Sequence, residues 1–145
     1  MASLYRVPRA ILFHIDAEAA HDFALANARV AETIPGLCPL IAATRPQRPR
    51  LRIDAMGRRF ENPIGLAAGL DKNGVALRFW RALGFGFAEA GTVTPRPQPG
   101  NPRPRMFRVV EERAIVNALG FNNRGADALA VRARAARAAL AGRMP

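Results

Sequence analysis

Cysteine occurs once in the 145 residues, at Cys38. A single thiol excludes an intramolecular disulfide and a cysteine-built metal cluster, and it suits a reducing compartment. A buried, unreactive thiol is the expectation. Lysine also occurs once, at Lys72, although Lys and Arg together number 22. No apolar run approaches the roughly 18–20 residues that a membrane-crossing helix needs. The opening "MASLYRVPRAILFHID" has a short apolar stretch but no small-residue cleavage site, so a secretory signal is not expected. There is no internal repeat.

Acidic residues number only 11, which leaves a net charge of +11 and a pI of about 11.7. Nucleic acid, an anionic membrane surface and anionic ligands are the partners such a charge admits. The arginines are spread along the chain, as a general preference for Arg over Lys would leave them. Only residues 45–59 are dense with them, and no aromatic stacking platform interleaves that stretch, so nucleic-acid binding is not expected. What the chain does have is 50% apolar residues, enough for a globular domain with its own core.

Residues 1–43 read as helical. Asp16 has the chemistry of an N-cap for a helix from Ala17 to about Thr33, with Ala20, Phe23, Val30 and Ile34 close to one face and Asn27 interrupting it. "PGLCP" (35–39) breaks that helix. Before it, Tyr5, Val7, Ile11, Leu12 and Ile15 mark a shorter apolar helix entered through Pro8. Such a pair is too small to bury its apolar faces by itself, so it must pack on a larger body, a lipid surface, or both. "RPQRPR" (45–50) then reads as a linker and as the domain boundary.

Beyond it the pattern changes. Two short strand-like runs flank Gly57, and the uninterrupted apolar run Ile64–Ala68 has the character of a buried parallel strand. Val75, Phe79 and Ala82 share a helical face up to Gly84, and "GFAEAG" (86–91) is a second short strand. Strand, helix, strand indicates an α/β fold with parallel strands. A long proline-rich loop, "TVTPRPQPGNPRPR" (92–105), follows, and loops of this length are functional or disordered. "MFRVVEERAIVNALGF" reads as a hairpin turning at Glu111-Glu112. A final amphipathic helix places Leu129, Ala133, Ala136 and Leu140 in one stripe.

The lone lysine lies in "GLAAGLDKNG" (65–74), at the C-terminal end of a buried strand, where α/β folds build their sites. Ala67, Ala68 and Gly69 would let a flat ligand lie on the backbone, with the compact charge of Lys72 at its edge. In a tight pocket that charge would stabilise a developing anion. A solvated lysine after a tight turn is the plainer alternative. Thr92 follows the second strand and points to the same end of the sheet, unless it is only a turn residue. Asn117, Asn122 and Asn123 could serve a ligand bearing carboxylate and imide groups, or simply form turns. His14 and His21 lack metal-binding partner spacing, and "GFGFAEAG" misses the dinucleotide-binding spacing.

Three stretches, "NPIGLAAGLDKNG", "GFGFAEAGTVTPRPQPGNPRPRMFR" and "NALGFNNRG", closely resemble the quinone-dependent class of dihydroorotate dehydrogenases. "DAEAAHDF" extends the resemblance into the N-terminal helices. The resemblance implies the N-terminal part of a (β/α)8 TIM barrel, about two βα units plus a β-hairpin, behind a small helical membrane-associating extension. The division would be 1–44 for the extension and 45–145 for the barrel part. The implied activity is oxidation of dihydroorotate to orotate with FMN, in pyrimidine (UMP) biosynthesis, with electrons passed to a membrane quinone. Ala68, Gly69, Leu70, Asp71 and Lys72 resemble the segment along FMN, and Thr92 a hydrogen-bonding partner of it. Lys72 also resembles a substrate contact. Asn117, Ala118, Leu119, Gly120 and Phe121 resemble the loop that holds orotate, and His21 and Arg108 match positions beside the quinone tunnel. The helices would face the membrane from the cytoplasmic side of a bacterial cell, and their loss would spare flavin reduction.

Two departures accompany the resemblance. The family usually has arginine where this chain has Ala118, which would weaken ligand binding if that arginine steadies the loop. The family's barrel also has eight βα units and this sequence shows two. The serine base and the FMN phosphate site belong to later strands, so the chain reads as an N-terminal fragment, inactive alone. The alternative from another class is a basic binding module without chemistry.

Overall fold

Three helices come first in the computed structural model, which describes residues 2–46 and 48–140. They are α1 (Ala2–Phe13), α2 (Ala17–Thr33) and α3 (Leu37–Ala43). α2 starts where the sequence predicts. The Asp16 carboxylate accepts the Ala19 N–H at 2.9 Å and satisfies one of the donors a helix leaves open at its start. α1 departs from expectation, because Pro8 lies inside it and not at its entry. Pro8 is exposed, so water can serve the carbonyl whose donor is missing. The Tyr5 side chain, counted in its apolar set, lies outside the described residues, as does Gln47 of the linker. "PGLCP" ends α2, yet α3 begins inside it. Pro39 falls in the first turn of α3, where no intrahelical N–H bond is lost. Cys38, on α3, is half-buried where burial was expected, and desolvation raises its thiol above the ordinary value, which keeps it protonated.

The buried face of α2 is not the one its apolar residues predict. Ala17, Glu18 and Ala28 are buried, whereas Phe23, Val30 and Ile34 are 61%, 59% and 48% exposed. Small alanines let α2 lie close against the rest of the chain, and its inward carboxylates find partners there. Glu32 reaches the start of α4 (Leu77–Leu83), accepting the N–H groups of Arg78 at 2.9 Å and Phe79 at 3.3 Å. It also accepts from Arg78 Nε at 3.0 Å. Ala76, the N-cap of α4, has no side-chain cap of its own. A carboxylate from another helix therefore supplies the anion that a helix N-terminus favours.

β1 (Ile53–Ala55) and β2 (Arg58–Phe60) form an antiparallel hairpin around Met56-Gly57, and both turn residues have positive φ. β3 (Gly65–Leu66) and β4 (Phe87–Ala88) pair in parallel, with Gly65 opposite Phe87 and Leu66 opposite Ala88. α4 connects them, giving the strand–helix–strand unit that the sequence predicts. β5 (Met106–Val109) and β6 (Ala114–Asn117) form a second hairpin in which Met106 faces Asn117. α5 (Ala126–Ala139) closes the order. Of its expected stripe Ala136 is buried and Leu129 and Leu140 are half-buried, while Ala133 is exposed.

The architecture is α/β with short sheets. Its core joins Ala28 of α2, Leu66 of β3, Ala76, and Trp80 of α4, with Leu25, Val75, Phe79, Phe85 and Ala88 packed around them. α2 thus shares one core with the strands. Among the described residues no helix is long and apolar enough to cross a membrane.

Candidate functional site

A cleft of about 940 Å³ opens at the C-terminal ends of β3 and β4. Its floor is Ala68, Gly69 and Leu70 after β3, with Lys72 beyond and Thr92 after β4. The β5–β6 hairpin contributes Arg108 and Asn117, and the loop behind it Ala118, Leu119, Gly120 and Phe121. The helices close the remaining side with Leu12, Phe13, Ala17 and His21. The cleft thus brings together the site residues that the resemblance names, except Asp71, whereas Ala67, Asn122 and Asn123 do not line it.

Asp71 is turned inward and is only 1% exposed. Its carboxylate accepts the N–H groups of Val75 at 2.8 Å and Ala76 at 3.0 Å, and the Trp80 indole N–H at 2.9 Å. Its side chain faces the core and not a ligand, and it holds the turn on which Lys72 sits. The floor beside it is shaped by Gly69, whose φ of +100° an L-residue resists. A Cβ there would meet nothing within 4 Å, so the floor is open above the backbone. The Gly69 N–H donates to the Gly91 carbonyl at 2.8 Å, which ties the two strand ends together.

Lys72 is half-buried and donates from Nζ to Asn122 Oδ1 at 2.6 Å. It is not the solvated lysine of the plainer reading. Burial lowers its pKa, the nearby Arg105 charge adds to that, and Glu18 and Asp22 oppose it. Burial likewise lowers the pKa of His21 and favours its neutral imidazole, against the pull of Asp22. Arg108 donates to the Ile15 carbonyl at 2.6 Å and lies 5.1 Å from the centre of the Phe13 ring.

The loop from Ala118 to Phe121 is held from behind. Ala118 N–H donates to the Arg105 carbonyl at 2.9 Å. Asn101 donates from Nδ2 to the Ala118 carbonyl at 2.7 Å and from its backbone N–H to Leu119 at 3.1 Å. Gln98 Nε2 donates to Gly120 at 3.1 Å, and Asn123 Nδ2 to Phe121 at 2.6 Å. Gly120 has φ +70°, and a Cβ on it would press against Asn101 at 2.8 Å. The loop backbone is thus held by Arg105, Asn101, Gln98 and Asn123, with no contribution from the Ala118 side chain. The Asn117 side chain lines the cleft, and its Nδ2 has no acceptor among the described residues, leaving it free for a ligand.

Sequence reasoning missed the residues that hold the site. Arg105 and Glu18 are 7% and 4% exposed, and Arg105 Nη2 meets Glu18 Oε1 at 2.7 Å. The Arg105 hydrogen bonds hold the Glu18 carboxyl below its usual range. The one available signal was the position of Glu18, three residues before His21 on the same helix.

The arrangement offers a flat small-residue floor, one compact cation, a hydroxyl and a free amide around a single space. The dihydroorotate dehydrogenase family model matches residues 50–142. The chain is 54% identical over 127 residues to the dihydroorotate dehydrogenase (quinone) of Thermus thermophilus, covering 87% of this chain and 37% of that protein. It is 53% identical over 136 residues to the protein of the same name from Burkholderia cenocepacia, covering 94% and 38%. The crystal structure of the DHODH of Eimeria tenella in complex with ferulenol matches with a TM-score of 0.70 at 41% identity, over 81% of this chain and 29% of that chain. The chain therefore spans less than two fifths of the curated relatives' length. It belongs to the dihydroorotate dehydrogenase family, and it corresponds to the N-terminal portion of the quinone-dependent class.

Proposed function

We propose that this chain is the N-terminal portion of a (β/α)8-barrel enzyme that oxidises dihydroorotate to orotate with FMN and reduces a membrane quinone, in pyrimidine biosynthesis. One observation carries this reading. The residues that resemble the FMN floor (Ala68–Leu70, Lys72 and Thr92) and those that resemble the substrate loop (Asn117–Phe121) line one cleft, although they are distant in sequence.

That cleft fits a flavin ring on its own chemistry. The backbone is open above Gly69, and the exposed Thr92 hydroxyl can donate a hydrogen bond at the ring edge. FMN, when bound, supplies the acceptor for the substrate's hydride. Lys72 places a partly desolvated positive charge beside the reacting groups, where it acts more strongly than it would in water. Asn117 fixes the substrate's imide edge, since one amide both donates and accepts. His21 and Arg108 flank the side from which quinone would enter. The exposed apolar residues Val7, Ile11, Phe23 and Val30, with Arg6, Arg9 and Arg29 among them, suit the cytoplasmic face of a bacterial membrane. In this reading the proton-removing base and the FMN phosphate site belong to later strands of the barrel, outside residues 1–145.

The test is a hybrid enzyme with residues 1–145 placed ahead of the remaining part of the Thermus thermophilus relative. The purified hybrid should be yellow, and anaerobic dihydroorotate should bleach its visible flavin band. A colourless hybrid, or a flavin that dihydroorotate leaves oxidised, would refute the reading.

A further inference from the structure

We propose that Glu18 and Arg105 are positioning residues for the substrate loop, so that the N-terminal helices set the geometry of dihydroorotate binding as well as facing quinone. The proposal rests on the reading of residues 117–121 as that loop. It opposes the expectation that the helices serve quinone alone.

The chain of contacts is continuous. Glu18, near the start of α2, takes Arg105 Nη2 at 2.7 Å and Arg105 Nε at 3.1 Å on both of its oxygens. The same guanidinium donates from Nη1 to the carbonyls of Pro99 and Asn101, each at 2.7 Å. Asn101 then holds Ala118 and Leu119, and the Arg105 carbonyl holds the Ala118 N–H. A second arginine, Arg103, bridges Glu18 and Asp22 at 3.0 Å each and braces the helix side of the pair. His21 stands on the same face of α2 as Glu18 and lines the cleft. One helical turn therefore carries both a wall of the cleft and the anchor of its loop.

The chemistry of the link indicates its purpose. A buried ion pair adds little net stability over apolar packing of the same volume, but it fixes direction. The planar guanidinium binds a carboxylate and two carbonyls from one rigid fork, which a lysine cannot do. An apolar contact at this place would let the proline-rich loop slide on α2, and the substrate loop would slide with it. The Glu18–Arg105 pair spans 87 residues of sequence and meets at the junction of helices and loop.

Two measurements test the proposal. In the 145-residue chain, Glu18→Gln should speed amide exchange at Ala118 by at least about tenfold. Asp54→Ala, which breaks the exposed Asp54–Arg59 pair, should leave that exchange unchanged. In the FMN-loaded hybrid, Glu18→Gln and Arg105→Lys should raise the dihydroorotate Kd in stopped-flow flavin reduction at least about tenfold. Bound FMN per folded protein should not change. The signal comes only from flavin-loaded molecules, so lost folded material lowers its amplitude and not its concentration dependence. Asn101→Ala removes the side-chain part of the link, the bond from Nδ2 to the Ala118 carbonyl, without burying a charge, and should shift both readouts in the same direction if either ion-pair variant fails to fold. Unchanged Ala118 exchange, or an unchanged dihydroorotate Kd, overturns the proposal. A wild-type hybrid that holds no flavin overturns instead the reading of the site itself.

Discussion

Replacing Asp71 with alanine should cost this protein a large part of its stability, and the structure gives the size of the loss. The side chain is 1% exposed and accepts three hydrogen bonds. Val75 is half-buried, so water can replace its lost acceptor. Ala76 is fully buried and Trp80 nearly so, and their donors would be left without partners. An orphaned buried donor costs about 1–3 kcal/mol, so two of them cost about 3 kcal/mol, before any loss from the small cavity. Total stabilities of about 5–15 kcal/mol make that a severe change. With a urea slope of about 2 kcal/mol per molar, the midpoint should fall by about 1.5 M. Trp80 is the only tryptophan, and its indole is one of the released donors, so its fluorescence reports the transition directly. Far-ultraviolet circular dichroism checks that the whole chain unfolds with it. A midpoint lowered by less than about 0.5 M would refute the role given to Asp71.

Two further outcomes follow from the same contacts. Arg105 holds the Glu18 carboxyl below its ordinary value of 4.5, so its stabilisation is complete above that pH and fades as pH falls through the lower folded value. Glu18→Gln should therefore flatten the acid limb of the stability–pH curve, and an unchanged limb would contradict the pairing. The exposed apolar residues of α1 and α2, with Arg6, Arg9 and Arg29, should bind lipid vesicles reversibly and more tightly when the lipid is anionic. Co-sedimentation indifferent to lipid charge would remove the arginines from that role.

Much of the fold was legible because local chemistry decides it. Asp16 set the start of α2, Gly84 ended α4 with a φ of +109°, and Met56-Gly57 turned the first hairpin. The buried face of α2 was not legible. Its packing surface is made of Ala17, Ala28, Glu18 and Glu32, whose burial depends on arginines and backbone donors far along the chain. Apolar periodicity pointed to Phe23, Val30 and Ile34, which remain exposed. α3 was masked by Pro39, because a proline signals a break unless its place in the first turn is known. In the site, residues that follow strands were found because strand ends converge. Arg105 spends its polar atoms on the protein and leaves no local signature, and Asp71 was expected along FMN and not as the carboxylate that holds the turn before α4.

In the proposed function Lys72 stands beside the reacting substrate, a claim that a single-turnover measurement tests most directly. Anaerobic mixing of the FMN-loaded hybrid with dihydroorotate gives the rate of flavin reduction with no contribution from quinone. Lys72→Ala should slow that step at least about tenfold, equal to about 1.4 kcal/mol of lost transition-state stabilisation, with FMN still bound. Reduction of the Lys72→Ala hybrid at the wild-type rate would contradict the claim.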